Sequence, residues 1–208
     1  MWLVVFFGAA FLIAMTPGAN NLLGMHHAIR HGALRALTGL SGRLVAMALM
    51  IAAVAAGLGP LLASSELALT IIKWAGVAYL VYLGVRILVN TWRHGPGELG
   101  PLADEDAVKS LFPLVRKEFL VCAGNPKAVL IMTAFLPQFV ESARGPVALQ
   151  VALLGLVYLV AELAAGTVFV LVGGIIRSVR MSVRAQRNVD RGTGLALLGV
   201  AGMLAASR

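Results

Sequence analysis

Helix-breaking and polar residues interrupt two otherwise apolar segments of the chain, at positions 16–21 and 124–127. Proline and glycine remove or weaken helical hydrogen bonds, and they occur here as Pro17 and Gly18 in the first segment and Pro126 in the second. The sequence therefore predicts two broken helices with unpaired backbone groups. Polar side chains stand beside the breaks: Asn20, Asn21, Asn125 and Lys127. Neutral amides and one ammonium group suit a zwitterionic ligand, so we expect all seven residues to line its binding site. The alternative role of each asparagine is to cap a broken helix.

Glu162 is the one carboxylate that the sequence places well inside an apolar segment. A charge at that depth costs about 2.5 to 3.5 kcal/mol on membrane-insertion scales, so its side chain is expected to face the interior of a helix bundle. Because burial favours the protonated form of a carboxyl group, Glu162 is predicted to bind substrate and to carry a coupling proton. The alternative is a structural ion pair with Arg43 or Lys127.

The composition indicates a protein that crosses a membrane several times. Of its 208 residues, 60% are hydrophobic and 12% are charged, whereas about 45–50% are apolar in soluble domains. The mean hydropathy is +0.90. The single Cys122 excludes an intrachain disulfide and is expected to pack as a small apolar residue.

Six apolar segments are long enough, or nearly long enough, to span a bilayer. They lie at about residues 2–29, 36–58, 67–89, 118–139, 147–172 and 192–206. The first has no basic residue ahead of its apolar core, so we expect it to stay in the protein as a span. The Gly-rich, Pro-rich and acidic stretch at 90–115 reads as a cytoplasmic linker between two halves, 1–89 and 116–208.

Three spans per half is an odd number, so two related halves must cross the membrane in opposite senses. The sequence therefore predicts an all-α integral membrane protein, a single domain over residues 1–208. Its six helices form two inverted three-helix repeats, and the first and fourth helices are broken.

Lysine and arginine residues collect on one side of this topology. Ten of them follow the first, third and fifth segments, whereas the loops after the second and fourth contain only Arg144. The positive-inside rule makes the basic side cytoplasmic and places both termini outside. The formal net charge of +8 then favours anionic membrane lipids as partners, and nucleic-acid binding is not expected.

Four sequence blocks occur in the order typical of one known family. They are Pro-Gly-Ala-Asn-Asn-Leu-Leu at 17–23, Lys-Trp-Ala-Gly-Val-Ala-Tyr-Leu at 73–80, Asn-Pro-Lys-Ala at 125–128 and Phe-Leu-Pro-Gln-Phe at 135–139. With these blocks the chain resembles the LysE/RhtB-type translocators, the lysine exporters and homoserine/threonine-resistance proteins. The resemblance implies a multi-pass protein of the bacterial inner membrane. Such a protein exports amino acids or small derivatives in exchange for protons, needs no cofactor and is not an enzyme.

Two positions depart from the family's pattern. Ala19 stands where that pattern has a second proline, and Arg43 lies a third of the way along the second segment, where an apolar residue is usual. The role of Arg43 is left open by the sequence. Small residues such as Gly39 and Gly42 offer surfaces for close packing within one chain or in a homo-oligomer.

Two other functions remain as alternatives. His27 and His31 are four residues apart and would share a helix face, as metal ligands do, which makes a divalent heavy-metal exporter the second hypothesis. No Cys or carboxylate accompanies them in the sequence, so no metal site is predicted. An intramembrane enzyme is the remote alternative, since the sequence lacks any motif that assembles a nucleophile, a metal or a pair of membrane carboxylates.

Overall fold

The computed structural model describes residues 2–58, 65–93, 110–178 and 183–206, and all regular structure within these ranges is helical. The α-helices are α1 (Trp2–Met15), α2 (Ala19–His31), α3 (Ala33–Ala53), α4 (Glu66–Arg93), α5 (Phe112–Ala123), α6 (Pro126–Leu130), α7 (Val147–Ser178) and α8 (Val183–Ala206). A π-helical turn, Ile131–Phe135, and a 3₁₀ turn, Leu136–Phe139, continue α6. The all-α prediction is confirmed.

Both predicted helix breaks are present. The axis bends by 67° between α1 and α2, and by 60° between α5 and the segment Pro126–Phe139. At the first break, Gly18 is fully extended, with φ −165° and ψ 179°. At the second, Asn125 takes an extended conformation before Pro126 restarts the helix, as expected for a residue that precedes proline.

The helices have the length and composition of membrane spans. Within the described residues, Ala33–Gly57, Val147–Ser178 and Arg187–Ala206 could each cross a membrane, and the two bent pairs raise this number to five. Helix α4, the predicted third span, lies outside that count, but its 28 residues extend over about 42 Å, more than the thickness of a hydrocarbon core. The described helices are those of an integral membrane protein.

The helices pair across the two parts of the chain. Helix α4 packs along α8, α3 packs on both α5 and α7, and α7 packs on α1 and α2. Thus the last helix of one predicted half lies against the last helix of the other, and each middle helix contacts the broken helix of the opposite half. The division into two halves stays a prediction. Helices α4 and α5 reach into the predicted linker at both ends, and residues 94–109 lie outside the described ranges.

The largest apolar cluster lies around α1, α3 and α7. Phe6, Leu154 and Tyr158 are almost completely buried in it. The rings of Phe6 and Phe139 meet edge to face, with their centroids 4.9 Å apart, and the Trp2 indole donates to the Phe139 carbonyl at 3.1 Å. These contacts hold α1 against the segment that follows the second break.

A glycine permits the close approach of α3 and α5. A Cβ atom added at Gly42 would collide with the backbone carbonyl of Val115. We therefore expect Gly42→Ala to separate these helices and to destabilise the protein by about 1 to 3 kcal/mol, the usual cost of overpacking. Thermal unfolding in detergent measures the change. The control is Gly199→Ala in α8, where nothing lies within 4 Å of the added Cβ. Equal melting temperatures for the two variants would contradict this packing.

Candidate functional site

A buried arginine on α3 lies at the centre of the polar interior. Arg43 is 1% exposed. Its Nε and Nη2 donate to Oε2 of Glu118 on α5, at 3.1 and 2.9 Å. Its Nη1 donates to Oε1 of Glu162 on α7, at 3.1 Å. One guanidinium therefore joins three helices by two ion pairs, since its planar donors can serve two carboxylates at once.

Arg43 also holds the first helix break. Its Nη1 donates to Oδ1 of Asn21 at 3.1 Å, and its Nη2 donates to the backbone carbonyl of Asn20. The side-chain amide of Asn21 donates in turn to the carbonyls of Ala14 at 2.8 Å and Thr16 at 3.2 Å. Asn21 thus satisfies carbonyls that the end of α1 leaves unpaired, and it fixes that end relative to Arg43.

An asparagine caps the second break and links it to the first. Oδ1 of Asn125 accepts from the Lys127 backbone N–H at 3.0 Å, which is the geometry of an N-cap. Its Nδ2 donates to Oδ1 of Asn20 at 2.7 Å. Nδ2 of Asn20 is buried and has no hydrogen-bond partner among the described residues. A buried donor without a partner costs about 1 to 3 kcal/mol, so a hydrogen-bond acceptor that reached this amide would stabilise the site.

The Lys127 ammonium lies at the carboxyl end of α1. Its Nζ donates to the carbonyl of Ile13 at 3.0 Å and to that of Thr16 at 3.3 Å. A cation at the end of a helix is favoured by the helix dipole. The ion pair predicted as an alternative for Glu162 forms with Arg43, and Lys127 instead caps the broken helix.

A cleft opens where the two breaks meet. Its interior cavity has a volume of about 20 Å³, and the space reaches about 310 Å³ when the open mouth and the adjoining solvent are counted. Its lining includes six of the eight predicted site residues: Gly18, Asn20, Asn21, Asn125, Lys127 and Glu162. Pro17 and Pro126 do not line it and act through the breaks that they cause. The structure thus brings the predicted residues together, and their contact with a substrate stays a prediction.

The Glu162 carboxylate lies between Arg43 and an aromatic hydroxyl. It is 5% exposed, and Tyr158, one turn earlier on α7, donates to its Oε2 at 3.3 Å. Oε2 is therefore the oxygen that Arg43 leaves free. Tyr158 also lines the cleft, so it is a site residue that the sequence did not reveal.

The expectation that Glu162 is the one deeply buried carboxylate is wrong. Glu118 is 0% exposed and Asp190 is 3% exposed. The sequence placed Glu118 at the edge of a span because Arg116 and Lys117 precede it. However, α5 begins at Phe112, so Glu118 lies within the helix. Pro113 is the signal that could have revealed this, because proline favours the first turn of a helix.

A second polar cluster lies toward the last turn of α2. Nε of Arg30 donates to Oδ1 of Asp190 on α8 at 2.9 Å, and Nη2 of Arg30 pairs with the other oxygen. Nδ1 of His26 is 3.9 Å from the same carboxylate. Arg177 on α7 donates to the carbonyls of Ile29 and Arg30. These contacts fasten the end of α2 to the last two helices.

The histidines of α2 do not form the metal site that the alternative hypothesis requires. Throughout the described ranges, no group of three His, Cys, Asp or Glu side chains is placed to hold a metal ion. His26 faces Asp190, whereas Nδ1 of His27 lies 3.4 Å from Oε1 of Glu118. The rings of His27 and His31 are 6.1 Å apart between centroids.

Comparison with known proteins identifies the family. The family model described as LysE type translocator matches residues 11–208. The homoserine/homoserine lactone efflux protein of Salmonella typhimurium is 27% identical over 208 residues, which cover 100% of this chain and 97% of that protein. An uncharacterized membrane protein of Vibrio cholerae is 32% identical over 146 residues, 69% of this chain and 67% of its own length. No solved structure matches the chain.

The family match and the fold point to the same class of protein. The match covers nearly the whole sequence, and the structure has apolar membrane helices with two breaks that meet at a polar cleft. The chain belongs to the LysE type translocator family.

Proposed function

We propose that the protein exports an amino acid or a small amino-acid derivative from the cytoplasm in exchange for a proton. The observation that carries this proposal is the cleft between the two helix breaks, whose lining includes both the cationic Lys127 and the carboxylate of Glu162. Broken helices that meet in a bundle are the usual position of a substrate site in secondary transporters. The relative from Salmonella typhimurium, named as a homoserine and homoserine lactone efflux protein, supports the same class of substrate.

The substrate carboxylate binds at the start of α2. This helix begins after Gly18 and has no side-chain cap, so its first amides and the positive end of its dipole suit an anion. The start of α6 is closed to a ligand because Asn125 caps it. Lys127 and Asn20 both line the same cleft and add one charge and one further donor.

The substrate ammonium binds at Glu162. Oε1 of Glu162 accepts a hydrogen bond from Arg43. Among the contacts described, Oε2 of Glu162 accepts only the long bond from Tyr158. An ammonium group or a proton can neutralise this oxygen, but both cannot occupy it together. Competition at one carboxylate couples the two flows, because substrate loading requires proton release and proton loading requires substrate release.

The basic residues set the orientation of the protein in the membrane. The basic ends of the helices lie in the cytoplasm, next to anionic lipid, and both termini lie outside the inner membrane of a bacterium. Exporting a zwitterion against one entering proton moves one positive charge inward. The membrane potential then contributes about 2.3 kcal/mol for each 100 mV. A homo-oligomer could use the exposed apolar faces of the outer helices.

The first break is expected to be necessary for export. Changing both Pro17 and Gly18 to alanine favours a continuous helix and moves the start of α2 away from the cleft. We expect normal membrane insertion and at least a tenfold loss of export, which corresponds to a loss of about 1.4 kcal/mol in the free energy of substrate binding. Efflux of a labelled amino acid from proteoliposomes measures it. Gly8→Ala in α1 is the control, since an added Cβ there has no neighbour within 4 Å. Normal export by the double variant would remove the broken helix from the mechanism.

Glu162 is expected to couple export to the proton gradient. Glu162→Gln keeps the shape and can still accept from Arg43, but it cannot release a proton. We expect this variant to lose uphill accumulation driven by an imposed pH difference, while slow substrate exchange at equal pH persists. The control is Glu141→Gln, which alters an exposed ion pair with Arg144 and should transport normally. Uphill transport by Glu162→Gln at the wild-type rate would make Glu162 a structural residue only.

A further inference from the structure

Two buried polar atoms face each other without a hydrogen bond on the far side of Arg43 from the cleft. Nδ1 of His27 and Oε1 of Glu118 are 3.4 Å apart, and neither has a hydrogen-bond partner among the described residues. The two residues are 2% and 0% exposed. Two lone pairs that faced each other here would repel, so the contact favours a hydrogen on Nδ1 of His27, although its geometry is not that of a hydrogen bond.

The same carboxylate is connected to the cleft. Oε2 of Glu118 accepts two bonds from Arg43, and the opposite edge of that guanidinium donates to Glu162. A change of charge at His27 alters how strongly Glu118 holds Arg43, and this in turn alters the field at Glu162. Buried charges interact strongly at such distances because little water screens them.

Glycines enclose the guanidinium tightly. A Cβ at Gly24 would lie 3.3 Å from Nη2 of Arg43 and 3.5 Å from Oε1 of Glu118, and one at Gly166 would lie 3.3 Å from Nη1. Arg43 and Glu118 thus have little space in which to move apart or to admit water. A proton is small enough to change the charge of this pair without rearranging the helices.

His27 lies one turn before the end of α2. His31 lies one turn further along, is only partly buried, and has its ring 6.1 Å from that of His27. The charged groups around this part of α2 come from every helix packed against it: Arg30, His26 and His31 on α2, Arg35 and Arg43 on α3, Lys117 and Glu118 on α5, Arg177 on α7 and Asp190 on α8. Asp190 is paired with Arg30, so Glu118 is the carboxylate that faces His27.

We propose that His27 and Glu118 form a second proton-binding site, which is open to the cytoplasm through the end of α2 and coupled to Glu162 through Arg43. Neutral His27 carries its hydrogen on Nδ1, beside Glu118. An entering proton forms an N–H bond at Nε2, and its departure breaks that bond, so no other reactant is needed. The added charge opposes a proton on Glu162, but it does not oppose a zwitterion, which brings no net charge. Cytoplasmic proton binding therefore promotes the replacement of the Glu162 proton by substrate.

This inference rests on the proposed function, and substrate exchange tests it. The full chain is reconstituted in proteoliposomes, and the pH on the face at the end of α2 is changed from about 8 to about 6, where histidine gains charge. We expect wild-type exchange of its transported amino acid to fall at the lower pH, because protons compete with substrate at Glu162, but to fall about fivefold less than exchange by a variant that lacks the His27 site. His27→Asn offers an amide hydrogen in place of Nδ1–H but takes up no proton. It should retain exchange at about pH 8 and lose this protection at about pH 6.

His26→Asn is the matched control, because His26 is the preceding residue on α2 and is buried beside Asp190 instead. The proposal is overturned if exchange by His27→Asn falls no further at the lower pH than wild-type exchange does, or if exchange by His26→Asn falls as far as exchange by His27→Asn. Should His27→Asn fail to fold, His27→Gln carries the same expectation, and a wild-type exchange that falls about tenfold for each pH unit, as one uncoupled proton requires, refutes the site without any variant. A wild type that moves none of the amino acids in a broad panel contradicts the proposed function itself.

Discussion

The burial of Arg43 is the constraint on which the rest of the interior depends. A guanidinium cannot lose its charge in a protein, and an unpaired charge in an apolar bundle would cost several kcal/mol. The structure meets this requirement with carboxylates from two helices, Glu118 and Glu162, and with groups at the first helix break. Helices α2, α3, α5 and α7 must therefore meet at one point. Removing any one partner would leave the others buried with incomplete pairing.

The unpaired carbonyl groups at the helix breaks and the buried donor side chains satisfy each other's hydrogen bonds. A helix that ends inside a membrane leaves carbonyl groups that lipid cannot satisfy. Here Asn21, Lys127 and Arg43 donate to carbonyls on both sides of the first break. At the second break, Asn125 closes the start of α6. The start of α2 has no side-chain cap, which leaves its first amides for the proposed substrate carboxylate, at the cleft that Glu162 also lines.

The sequence predicted the features that local chemistry determines. Pro17 with Gly18, and Asn125 with Pro126, break a helix wherever they occur, and both bends were found. Glu162 was recognised because apolar residues surround it in the chain. Arg43 and Glu118 were not connected, since they are 75 residues apart and no periodic pattern joins them. Glu118 was also assigned to the edge of a span because the two residues before it, Arg116 and Lys117, are basic. The free amide of Asn20 depends on its tertiary contact with Asn125 and has no signal in the sequence.

Competition between a proton and the substrate ammonium for Glu162 is the central claim, and proton release on binding measures it most directly. The purified protein is mixed with its transported amino acid in weakly buffered solution that contains a pH indicator. The account predicts release of up to about one proton for each substrate bound, with little release from Glu162→Gln. Substrate binding without proton release at any pH, or equal release from Glu162→Gln, would contradict the account.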